Sequence, residues 1–214
     1  MSNQAAGFVY SGRYSTERQR IALSAMLLAH EHHSACVSMV SSSHYASAAA
    51  MLRPIGEASA CAFWTMYAAP KKWLGSLLEL KPGSALEFKA DTPNLDDMIT
   101  ALASSNIPGV KRLSALRQDP MWRRFHKYTH GGMIQLDRRT HPQPFDESEN
   151  RIHLMQADAF LLPAVSLGTV LFNSDELTSF IATSYRTLSE EVEAYGAAPA
   201  PPWAGLPEPP DLDD

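Results

Sequence analysis

HYASAAAMLRPIGEASACAFWTMYAA, residues 44–69, is the stretch that decides the fold class. It predicts one long helix, because apolar and small residues recur at three- and four-residue steps. Pro54 sits inside that helix, removes one backbone donor and introduces a kink. Around and beyond the kink, Leu52, Ile55, Ser59, Ala62 and Met66 fall on one stripe, and Arg53, Glu57, Cys61 and Trp64 fall on another. Arg53 and Glu57 stand one turn apart and can pair. An exposed pair of this kind contributes only ~0.3–0.5 kcal/mol, whereas a buried one needs further hydrogen-bond partners to offset its desolvation.

Helical signals continue on both sides. Residues 16–42 predict a preceding helix, capped at Thr16 and carrying Ile21, Leu23, Ala25, Leu28, Cys36, Val37 and Val40, with SSSHY as a weak break after it. KWLGSLLEL and NLDDMITALASS predict two short helices, the second capped by Asn94 with acidic residues in its first turn. Asp119 and Pro120 open a helix expected to run to about Arg139. Two more follow: 149–172, with Pro163 as a second kink, and 174–195, where Leu177, Ile181, Leu188, Val192 and Tyr195 repeat at helical spacing. SALEF is the one strand-like run, with nothing evident to pair with. The expectation is an all-α helical bundle of about five to seven helices spanning 16–195. It is flanked by a flexible N-terminus over 1–15 and a proline-rich acidic tail over 196–214, read as disordered.

Composition narrows the function classes. The chain has 214 residues, 45% of them hydrophobic, which is enough for one domain with a substantial core. The apolar runs AMLLA and AFLLPAVSLGTVLF are short or interrupted, so no membrane span is expected. The first twenty residues lack an apolar signal core, and Cys36 and Cys61 do not make a disulfide framework. These features give the expectation of a cytoplasmic protein with reduced, buried thiols. No phosphate-binding loop, dinucleotide fingerprint or serine-hydrolase elbow is present, and no cofactor is expected.

The net charge of −5 is unevenly placed. The end of the chain holds Glu208, Asp211, Asp213 and Asp214 without a base. Residues 111–139 carry Lys111, Arg112, Arg117, Arg123, Arg124, Lys127, Arg138 and Arg139 against Asp119 and Asp137. A basic segment in a nearly neutral body suits a polyanionic partner, and it suits a solvated helix face equally.

Within that segment MWRRFHKYTHGG, residues 121–132, places Arg123, Lys127 and His130 on one helix face, with His126 to the side of it and one turn from His130. Histidine can take or give a proton near neutral pH, and a guanidinium can hold a phosphate. RNA brings its own nucleophile, the 2′-hydroxyl, so this set needs neither a metal nor a protein nucleophile. Spacing alone leaves that reading open beside the solvated face. His126 and His130 also have the separation of two zinc ligands, with HEHH at 30–33 as a further source. However, no CxxC and no intervening glutamate complete such a site, and none is assigned. Gly131 and Gly132 cost about 1 kcal/mol each within a helix, which suggests a close approach there.

With both segments in view, the chain resembles the HEPN superfamily of all-helical nucleic-acid-associated proteins, and most closely its AbiV-like and uncharacterised bacterial branch. Residues 41–69 and 121–132 carry the likeness, which spans about 16–195. It rests on small residues followed by Leu-Arg-Pro, a glutamate one turn on and a tryptophan two turns beyond, then a His-Gly-Gly helix preceded by a tryptophan and basic residues. Cys61 stands where that branch often has a further basic residue. HEPN ribonucleases carry an arginine and a histidine with four to six residues between them; five separate Arg124 from His130 and six separate Arg123 from it, so either fits. The resemblance implies that His130 and one of the two arginines are catalytic and that Arg53 and Glu57 flank the cleft; on the leading reading His126 and Lys127 assist with phosphate contacts. It also implies a homodimer whose two motifs meet in one metal-independent site. The expected function is an endoribonuclease acting on RNA, tRNA among the candidates, in phage defence or a toxin–antitoxin pair. The alternative is a non-catalytic helical protein (antitoxin, immunity or sensor subunit) that docks RNA or an acidic partner on the same basic face.

Overall fold

The computed structural model describes residues 16–78, 92–103, 110, 120–130, 132–140 and 147–196. Within these, the side chains of 76–78, 120, 121, 123, 124, 133, 134, 138, 139 and 196 are not described. Eight α-helices and no strand occur among the described residues: α1 (Glu17–Ser41), α2 (Tyr45–Tyr67), α3 (Lys71–Leu78), α4 (Leu95–Leu102), α5 (Pro120–Thr129), α6 (Met133–Thr140), α7 (Glu147–Phe172) and α8 (Asp175–Gly196). The architecture is an all-α bundle. Residues 1–15, SALEF, the Asp119 cap and the acidic tail lie outside the described residues.

Local chemistry sets the helix ends. Thr16 caps α1 through a reciprocal box with Gln19: the Thr16 hydroxyl accepts from the Gln19 amide, and the Gln19 side chain accepts from the Thr16 amide. Asn94 caps α4 by accepting from the Asp97 amide, and Asp96 and Asp97 meet the positive helix end. Ser43 takes φ 63° between α1 and α2, where the His44 amide closes back on the Met39 carbonyl. At the far end of α2, the Arg18 guanidinium donates to the Thr65 and Ala69 carbonyls at 2.5 and 2.7 Å. These are carbonyls that the helix itself leaves without donors.

The expected helix over 121–139 is two helices. The break falls at the glycine pair, where the Gly132 amide donates to the Lys127 carbonyl at 2.8 Å. A six-to-one bond of this kind folds the chain back on the last turn of the helix and ends it. A Cβ on Gly132 would lie 2.9 Å from the Lys127 carbonyl oxygen. The expected close approach at the pair is, at Gly132, an approach to the preceding turn and not to another helix, and it falls at a helix end, not inside a continuous helix.

Helix α2 is the centre of the bundle and packs against α1, α4, α5 and α7; α7 in turn packs against α1 and α8. Leu52, Ile55, Ser59 and Ala62 of the expected stripe are fully buried, and Met66 is half-buried. Each buried leucine or isoleucine here contributes about 1.5–3 kcal/mol. Both internal prolines sit within continuous helices. Pro163 cannot donate, so the Ala159 carbonyl one turn earlier has no helical donor. There the buried Ser59 hydroxyl donates to the Phe160 carbonyl at 2.6 Å.

Three expectations change. Val192 is half-exposed and drops out of the core stripe of α8, which continues past it to the half-buried Tyr195, packed against the Met155, Leu162 and Leu188 cluster. Cys36 is fully buried, whereas Cys61 is only partly so. Helix α7 is long and apolar enough to cross a membrane by length and composition, because its scattered polar residues leave its mean hydropathy high. More than half of that apolar stretch (56%) is buried inside the bundle.

Candidate functional site

The site is built where α5 lies on α2. On the inner face of α5, Phe125 and Tyr128 are buried and Trp122 is half-buried. The rings of Trp122, Phe125 and Phe160 meet edge-to-face, with centroids 5.5–6.3 Å apart, the arrangement aromatic quadrupoles favour. Gly56 makes the seat for Trp122. A Cβ at that position would stand 3.0 Å from two atoms of the indole, so the absent side chain sets how closely α5 approaches.

Pro54 adds a second anchor. Lacking an N–H, it leaves the Ala50 carbonyl of α2 without its helical donor. The Thr129 hydroxyl, from the end of α5, lies 3.3 Å from that carbonyl and 3.0 Å from its own Phe125 carbonyl, so its single hydrogen is shared between them. One turn earlier on α2, the Gln135 side-chain Nε2 donates to the Ala46 carbonyl at 3.1 Å. The proline inside α2 thus frees the acceptor that the end of the basic helix meets.

On the outer side of this contact four predicted residues come together. Arg53 donates through Nε to Glu57 Oε1 at 2.7 Å, and its Nη1 donates to His126 Nδ1. The guanidinium carbon lies 6.0 Å from the Trp122 ring centroid, so the indole limits its movement from below. The His126 and His130 rings face each other with centroids 4.5 Å apart and an interplanar angle of 57°. The array is open to solvent: His126 and His130 are exposed, and the side chains of Arg53 and Glu57 are 24% and 39% exposed.

Lys127, also exposed, follows His126 on the last turn of α5, where positive charge complements the helix dipole. The backbone of Arg123 and Arg124 lies in α5; their side chains are outside the described residues, as are Lys111, Arg112, Arg117 and the side chains of Arg138 and Arg139. Among the described residues no three His, Cys, Asp or Glu side chains converge as a metal site.

A second polar group lies in the core, and sequence reasoning did not pair its members. His33 of HEHH turns inward, only 2% exposed, and its Nε2 meets Asp158 Oδ1 of α7 at 2.6 Å. The i to i+3 step brings Cys36 close to the same carboxylate. Burial, and then the Asp158 charge, push the Cys36 thiol up to about 11. It stays protonated and donates to the Ala48 carbonyl. No local signal pairs His33 with a residue so distant in sequence.

Comparison with known proteins gives one match. A family model described as a family of unknown function, DUF6988, matches residues 26–193, which include α2, α5 and every residue of the array. No curated protein and no solved structure matches the chain.

Proposed function

The chain belongs to the DUF6988 family, and we propose that this member is a metal-independent endoribonuclease of the HEPN type, serving phage defence or a toxin–antitoxin pair. The observation that supports this most is the Arg53–His126–His130 array, which two distant segments contribute and which lies open to solvent.

In the proposed reaction His130 takes the proton of the RNA 2′-hydroxyl. The 2′-oxygen then bonds to phosphorus, the bond to the 5′-oxygen breaks, and that oxygen leaves with a proton from a general acid. Arg123 or Arg124 holds the scissile phosphate and stabilises charge developing on its oxygens. Lys127 adds an attractive charge beside the histidines. A second copy of the chain brings its own motif to the cleft, and the protein acts in the cytoplasm.

The test uses wild type and His130→Ala with total RNA and tRNA in EDTA. Cleavage by wild type alone, leaving 2′,3′-cyclic phosphate ends, is the expected result. If neither protein cuts while both keep their helical circular dichroism, the enzyme reading fails. The same face is then that of a binding protein, such as an antitoxin, immunity or sensor subunit.

A further inference from the structure

A carboxylate, a guanidinium and an imidazole stand in series in the array, and their order fixes the chemistry of the last. Glu57 accepts from Arg53 Nε, and Arg53 Nη1 donates to His126 Nδ1. A guanidinium is a donor only, so Nδ1 must present its lone pair, and the single ring hydrogen sits on Nε2. An imidazolium would set two N–H donors head to head beside a permanent cation. Two imidazolium rings with centroids at the His126–His130 separation of 4.5 Å would also repel. Arg53 therefore selects a neutral His126 with its N–H on the far side of the ring.

Arg53 directs both of these bonds into the protein: Nε is held by Glu57 one turn on, Nη1 by His126, and the indole of Trp122 lies beneath. It is arranged to hold another side chain. The groups in contact with the His126 ring are Arg53 from α2, itself held by Glu57, and His130 from its own segment, with the exposed Lys127 next in sequence. Glu57 is matched by Arg53, which leaves an N–H donor and an ammonium as the outward features.

We propose that Glu57 and Arg53 are a positioning couple that fixes His126 as a permanent N–H donor to a phosphate oxygen, beside His130. The two histidines then have different jobs, one holding the anion and the other moving a proton. The choice of phosphate rests on the nucleic-acid reading above, whereas the fixed tautomer rests on the array alone.

The experiment follows the full-length protein by NMR with 15N-histidine, in the absence of RNA, and titrates it with inorganic phosphate. Wild type should show His126 with Nδ1 bare and Nε2 protonated, and phosphate should shift its ring signals. Arg53→Met should weaken phosphate about tenfold, the worth of one charge-assisted hydrogen bond. The same change made on top of His126→Ala should have no further effect. Glu57→Gln should give a smaller loss that again vanishes without His126. Arg53→Lys should not rescue, since an ammonium keeps the charge and lacks the fork, whereas a role in bulk charge alone would be rescued. His126→Gln, which keeps a donor at the outer position, should retain most of the affinity.

A protonated Nδ1 in wild type, rescue by Arg53→Lys, or losses from Arg53→Met and His126→Ala that simply add would overturn the positioning role. An unaltered His126 signal at saturating phosphate would overturn the ligand. Because no RNA is cut in this assay, an inert protein would refute the ribonuclease reading and leave this one standing or falling by itself.

Discussion

Thr129→Val tests the contact on which the site is built. Valine keeps the shape of threonine and removes the hydroxyl that reaches the Ala50 carbonyl at 3.3 Å. A buried carbonyl left without a donor costs about 1–3 kcal/mol. The Thr129 hydrogen is shared with Phe125 and the contact is only partly buried, so the cost falls at the low end, about 1 kcal/mol. For a domain of this size that is a fall of about 2–4 °C in Tm. The decisive measurement is the same change in a Pro54→Ala background. Alanine restores an N–H at position 54, the helix supplies the Ala50 carbonyl with its own donor, and Thr129→Val should then cost almost nothing. Urea unfolding of the four proteins gives a double-mutant cycle in which whatever Pro54→Ala does alone cancels. The expected coupling is about 1 kcal/mol, well above the ~0.3–0.5 kcal/mol scatter of independent sites. Equal costs of Thr129→Val in both backgrounds would refute the account of Pro54 as the source of the acceptor.

Gly132→Ala should destabilise by about 1–2 kcal/mol, because the new Cβ meets a main-chain oxygen at 2.9 Å that cannot move cheaply; thermal melting reads it, and an unchanged Tm would contradict the close approach. Asp158→Asn should cost about 1–2 kcal/mol by weakening the bond to buried His33, and should lower the Cys36 pKa by removing the smaller of its two causes, measured by thiolate absorbance. Stability should also depend on alkaline pH through Cys36. The unfolded thiol ionises at its ordinary 9.0 and the folded one at about 11, so the unfolded chain sheds its proton first. The contribution is fully present below about 9 and is lost as pH rises toward 11, and Cys36→Ala should flatten that part of the profile.

The helices were legible because their signals are local. Thr16, Asn94 and the three- and four-residue steps of α2 each act within a turn or two. The break at Gly132 was not anticipated, because the basic pattern of α5 continues into α6 and periodicity alone saw one helix. The parts of the site were visible too: Arg53 and Glu57 as an i, i+4 pair, and His126 and His130 as neighbours one turn apart. Their meeting across 73 residues came from the resemblance, since no spacing rule reaches that far. The Trp122 seat on Gly56 and the Thr129 bond to Ala50 had no signature, because in each case one partner is a bare backbone.

That last property has a consequence for how the bundle tolerates change. Several cross-helix bonds end on main-chain oxygens of α2: Gln135 on Ala46, Cys36 on Ala48 and Thr129 on Ala50. An oxygen of this kind survives any replacement of its own side chain. Constraint therefore falls on the donors alone, and their acceptor positions answer only to space. Paired substitution between the two ends of such a bond has nothing to act on. Helix α2 works as a fixed ruler, one acceptor every second residue from Ala46 to Ala50, against which α1, α5 and α6 are set in register.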